Sequence, residues 1–80
     1  MLTDYIQAAM RRAKYEILPD DNSYYGEIPG FQGVWANAQA LEDCRKELQE
    51  VLEEWLMFKM YDRLALPIVD GIELKIPQMA

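Results

Sequence analysis

Eighty residues with a formal net charge of −6 and 51% apolar side chains are too apolar for a disordered chain and too few for more than one domain. With no histidine and a single cysteine, Cys44, an intrachain disulfide, the usual zinc-ligand sets and most nucleophile–base pairs are excluded. The acidity disfavours direct binding to phosphate backbones and favours a basic protein partner.

A domain of this length buries only about two-thirds of the surface its unfolded chain exposes. Without a disulfide or a cysteine–histidine metal site, self-association is the remaining route to added stability. Asp4 stands where a signal peptide would carry basic residues, and no segment approaches the roughly 20 apolar residues of a membrane span. Together with one unpaired thiol, this points to a reducing, cytoplasmic setting.

Leu2, Tyr5, Ile6, Ala9, Met10 and Ala13 recur at helical spacing, which predicts a short helix over about 3–12 with Thr3 as its N-cap. Arg11, Arg12 and Lys14 then fall near its C-terminus, where positive charge suits the helix dipole. Tyr15-Glu16-Ile17-Leu18 and Tyr24-Tyr25-Gly26-Glu27-Ile28 read as strands joined through the turn formers Pro19-Asp20-Asp21-Asn22-Ser23. Pro29 and Gly30 break the second strand as a structural turn, and Gly33 to Ala38 supplies a third.

The main helix opens at Leu41 and runs to about 64, stopping before Pro67. Leu41, Cys44, Leu48, Val51, Leu52 and Trp55 form its apolar stripe, while Glu42–Lys46 and Lys46–Glu50 have ion-pair spacing. Beyond Glu54 the helix is apolar nearly all round, through Trp55, Leu56, Met57, Phe58, Met60 and Tyr61. Such a segment needs cover on every side, and a second copy of the chain is the expected source, with these six residues as the oligomer interface. Asp70-Gly71 signals a turn before Ile72, Leu74 and Ile76, which alternate with Glu73 and Lys75 as a fourth strand over about 72–76. The reading is therefore a single α+β domain over residues 1–80, with a sheet and main helix over about 14–64.

Candidate chemistry is sparse. The Pro29-to-Gly33 turn lacks the lysine and helix entry of a phosphate loop. Cys44 falls on the buried stripe, where a thiol behaves as a small apolar group. Glu16, Glu27 and Glu73 sit between apolar neighbours on predicted strands, so they are expected to share the sheet face turned away from the helix. Three gathered carboxylates would suit Mg²⁺ and phosphodiester hydrolysis, but the same alternation is what a half-solvated antiparallel sheet shows anyway. As a partner-facing acidic patch they would receive a basic surface. Glu42, Asp43, Glu47, Glu50, Glu53 and Glu54 read as the wet face of the helix, and Trp35 and Trp55 as apolar anchors.

From Tyr15 to about Trp55 the chain resembles the HicB-like family of antitoxin domains. The resemblance rests on Lys14-Tyr15-Glu16-Ile17, on Tyr25-Gly26-Glu27-Ile28-Pro29-Gly30-Phe31, and on Leu41-Glu42-Asp43-Cys44 followed by Leu48 and Leu52. Leu66 to Leu74 is similar to the tail of solitary members of that family. The resemblance implies a partial RNase-H-like β-β-β-α-β sheet on one long helix, with no catalytic residues, cofactor or metal. It also implies a cytoplasmic type II antitoxin that neutralises a small basic HicA-like toxin, an mRNA-cleaving ribonuclease. The alternatives are a solitary homo-oligomer without a toxin, or the metal-dependent nuclease above. Ala40 stands where the family often has a threonine N-cap, which leaves Asn37 as the capping candidate, and Phe31 replaces a frequent cysteine. No C-terminal DNA-binding segment is expected within these 80 residues.

Overall fold

Three runs of β-forming residues, separated by two turn-forming segments, fold as one antiparallel meander beneath a long helix. The computed structural model describes residues 2–74. Along the chain lie α1 (Leu2–Arg11), β1 (Lys14–Ile17), β2 (Tyr24–Glu27), β3 (Trp35–Ala38) and α2 (Leu41–Tyr61), with strand order β1-β2-β3. The architecture is the expected α+β arrangement of a short helix, three strands and one long helix.

Pairing aligns Glu16 with Tyr25 and Tyr25 with Asn37, and it aligns Lys14 with Glu27 and Glu27 with Trp35. Because successive strand residues alternate between faces, Lys14, Glu16, Tyr25, Glu27, Trp35 and Asn37 share one face. Tyr15, Ile17, Tyr24, Gly26, Ala36 and Ala38 share the other, which α2 meets along β2 and β3.

Gly26 lets the helix come this close. A Cβ at Gly26 would lie 2.8 Å from the Tyr15 ring and 3.2 Å from Cys44 Sγ, so glycine is needed for lack of a side chain. Cys44 is fully buried here and its sulfur lies 3.6 Å from the Ala36 carbonyl oxygen. Cys44, Leu48, Leu52 and Leu56 then form the buried ridge of α2. They pack with Tyr5, Ala8, Ala9, Met10, Ile28, Phe31, Val34, Ala36 and Val69 as one core.

Pro29 and Gly30 are the central residues of a turn closed by the Phe31 N–H on the Ile28 carbonyl at 3.1 Å. Gly30 takes φ 87°, the conformation a type II turn requires at its third residue. A second turn follows at once, from Phe31 to Val34 with Gly33 at φ 90°. This second turn delays β3 to Trp35, two residues after the expected start. The two turns aim Phe31 inward, where its ring meets Tyr5 at 6.3 Å and Trp55 at 5.2 Å between centroids. One side chain thus ties the β2–β3 connection to both helices.

Several local expectations are corrected. Helix α1 begins at Leu2, so Thr3 lies inside it. Helix α2 ends at Tyr61, short of 64, because the Leu64 N–H bonds the Lys59 carbonyl and the Arg63 N–H bonds the Met60 carbonyl. That is the Schellman arrangement, with Arg63 at φ 56° where glycine is usual. Asn37 does not cap α2; its amide donates to Ser23 Oγ and the Tyr24 carbonyl, both at 2.8 Å. Ala40 is the N-cap residue, extended at φ −116° and ψ 146°, without a side-chain cap bond. Among the described residues, Glu42–Lys46 and Lys46–Glu50 do not close as ion pairs, since exposed side chains gain little from closing. Arg11 and Arg12 instead pair with Asp70, at 3.8 Å and 3.1 Å.

Beyond α2 the chain folds back on α1, where Tyr5 donates its hydroxyl to the Pro67 carbonyl at 2.6 Å. Val69 and Ile72 form an isolated antiparallel bridge around the Asp70-Gly71 turn. The expected fourth strand over 72–76 lies partly outside the described residues. Its described part, Ile72 to Leu74, carries only this bridge and no pairing with the sheet.

Two substitutions test this description. Gly26→Ala forces the Tyr15 ring and Cys44 apart and is expected to lower unfolding free energy by about 1–3 kcal/mol in chemical denaturation. Ala40→Ser supplies the missing cap acceptor at an already extended residue and is expected to raise it by about 1 kcal/mol.

Candidate interaction surfaces

The outer sheet face carries an aromatic pair framed by charge. Tyr25 and Trp35 stack with ring centroids 6.0 Å apart, 27° between planes, and Trp35 remains 54% exposed. Register brings Glu16 beside Tyr25, and Lys14 and Trp35 to either side of Glu27. The Tyr25 hydroxyl is held above its usual pKa, first by desolvation and then by its hydrogen bond to Glu27 and the nearby Glu27 and Glu16 carboxylates. Of the three expected strand glutamates, Glu16 and Glu27 therefore share this face. Glu73 does not complete a metal-binding trio with them: among the described residues, no three His, Cys, Asp or Glu side chains are placed to hold one ion.

The apolar end of α2 divides in two. Leu56 is 2% exposed and belongs to the chain's own core, so it is corrected from the expected interface. It continues the four-residue step of Cys44, Leu48 and Leu52, which keeps it on the buried side of α2. Trp55 is half-buried against Phe31, with Lys59 Nζ 5.0 Å above its ring. Met60 is half-buried. Met57, Phe58 and Tyr61 stand 69%, 70% and 86% exposed, and with Glu54 they line a shallow apolar concavity. The acidic residues Glu42, Asp43, Glu47, Glu50, Glu53 and Glu54 are all exposed.

A third surface was not legible in the sequence. Helix α2 covers β2 and β3 and makes no comparable approach to β1. Tyr15 and Ile17 point to the helix side yet remain 36% and 58% exposed. Alternation marks both as inward-facing, but nothing in the sequence states which strands a helix will cover.

Cys44 offers no reactive group. Burial raises its thiol pKa, and the Glu47 carboxylate adds to that rise, so the nucleophilic thiolate is disfavoured. Among the described residues, no helix is long and apolar enough to cross a membrane.

These features define a small α+β domain whose exposed surfaces are apolar, aromatic and acidic. Residues 4–67 match the UPF0150-like family, and the chain belongs to that family. It is also similar to the protein in the crystal structure of TTHA0281 from Thermus thermophilus, at 40% identity and a TM-score of 0.90. That likeness covers 96% of this chain and 95% of the other. No curated protein matches the chain.

The division of the α2 end is testable by stability. Leu56→Ala is expected to cost about 2–5 kcal/mol as a core truncation. Phe58→Ser, at a position mostly in water, should stay within about 0.5 kcal/mol for the isolated subunit. Denaturant titration of dilute protein separates the two.

Proposed function

We propose that this chain is a non-enzymatic, cytoplasmic interaction module of HicB type, which binds and neutralises a small basic HicA-like toxin that cleaves mRNA. Membership in the UPF0150-like family is compatible with that role. The observation that carries the proposal is the outer sheet face, where the stacked Tyr25 and Trp35 rings sit beside Glu16 and Glu27. Exposed aromatics give a partner large, stiff apolar contact, and the carboxylates speed encounter with positive charge. A net charge of −6 acts in the same direction over longer range. The lack of histidine and the burial of Cys44 support a binding role over catalysis.

A second reading, a solitary homo-oligomeric domain without a toxin, is favoured by the end of α2. There Met57, Phe58 and Tyr61 leave an apolar face in water.

The deciding experiment uses a short, basic, histidine-containing protein encoded beside this one. The purified chain is expected to stop its RNA cleavage at near-equal stoichiometry. Trp35→Ala should weaken that inhibition by about 2 kcal/mol in binding, roughly thirtyfold in Kd. Full RNA cleavage in the presence of excess native chain would contradict the antitoxin reading.

A further inference from the structure

Among the described residues, β1 is an edge strand, and its sequence is self-complementary. The Leu18 N–H donates to the Ser23 carbonyl at 2.8 Å, so Leu18 turns its backbone groups toward β2. In an antiparallel pair this direction alternates, and Glu16 and Lys14 therefore also bond β2, while Tyr15 and Ile17 direct their N–H and C=O groups to the open edge. Every residue of β1 is exposed, and neither proline nor a bulge interrupts it. The uncovered side chains are those of the same two residues, Tyr15 and Ile17.

We propose that a second copy of this chain adds to the β1 edge in antiparallel register, with Tyr15 on the two-fold axis, making one continuous six-stranded sheet. In this register the two Tyr15 residues exchange both backbone hydrogen bonds. Each Lys14 faces the Glu16 of the other copy on the outer face. Ala13 faces Ile17 on the helix side, where the Ile17 N–H meets the Ala13 carbonyl of the second copy.

The pattern of charge selects this register. Shifting the axis to Glu16 uses the same outward backbone groups but sets the two Glu16 carboxylates opposite one another, which is unfavourable. A lone lysine on an edge strand repels other strands; a lysine and a glutamate two residues apart attract a reversed copy of themselves. The other edge, β3, reads Trp35-Ala36-Asn37-Ala38 and is uncharged, so it specifies no such register. The pairing also shelters the apolar side chains that α2 leaves bare. Tyr15 and Ile17 of the two copies come together on the helix side, in the space between the two α2 helices. This dimer requires neither a toxin partner nor the apolar end of α2.

The test uses Lys14→Glu and Glu16→Lys, each at an exposed position compatible with folding. Either variant alone sets like charges opposite each other at two symmetric positions, and light scattering should show self-association weakened roughly tenfold. Mixed in equal amounts, the two variants face each other with opposite charges at every position, and the dimer is expected to return. Hydrogen exchange should show the Tyr15 and Ile17 amides protected in the native dimer and in the mixture, but open in each variant alone. Unchanged association of the single variants, failure of the mixture to pair, or free exchange of the native Tyr15 amide would each overturn the proposal. Glu16 belongs to both surfaces, but the Trp35→Ala arm of the toxin assay reads a β3 residue outside this pairing, and Lys14→Glu leaves Glu16 in place, so failure of one proposal is distinguishable from failure of the other.

Discussion

The length of α2 governs this structure. Twenty-one residues give a helix of about 31 Å, while each strand has four residues and spans about 13 Å. A helix so much longer than its sheet cannot be covered along its whole length. Gly26 fixes where it rests by admitting Cys44 against β2 and β3, and the ridge of Leu48, Leu52 and Leu56 follows from that seat. Phe31, Tyr5 and the segment folding back through Pro67 cover one side of the overhang. Met57, Phe58 and Tyr61 on the other side stay in water, as do Tyr15 and Ile17 on the strand the helix misses.

Elements were legible because each has a local cause. Period-two alternation marked the three strands, turn formers marked the hairpin, and steps of three and four marked both helices. The end of α2 was less legible because Trp55 to Tyr61 is nearly all apolar, and a stripe cannot be read where contrast is missing. The four-residue step from Cys44 through Leu52 was the available signal that Leu56 belongs inside. Alternation alone groups Glu73 with Glu16 and Glu27, and it gives a face but not a neighbour. Asn37 looked like a cap from its distance to Leu41; its strand register instead turns the amide toward Ser23 and Tyr24. Register and helix placement depend on contacts between distant residues, which no local pattern encodes; the Schellman stop at Arg63 is local but lacks the glycine that usually signals it.

The binding role proposed above rests on what is left uncovered. Among the described residues, three surfaces are open: an aromatic and acidic sheet face, an apolar helix end, and the edge of β1 with its bare inner side chains. Glu16 belongs both to the sheet face and to the proposed β1 pairing, whereas Trp35 and the end of α2 lie outside that pairing. The one thiol is sealed under α2. The carboxylates are spread along a sheet face and a helix flank.

Sedimentation of the unaltered chain over a wide dilution series tests this account most directly. Its central claim is that a helix too long for its sheet leaves surfaces requiring a partner. The result consistent with it is a mass at or above twice the 9.4 kDa of one chain, falling toward 9.4 kDa only on strong dilution. A constant 9.4 kDa up to high concentration would contradict it, because the exposed apolar surfaces would then be tolerated in water without cover.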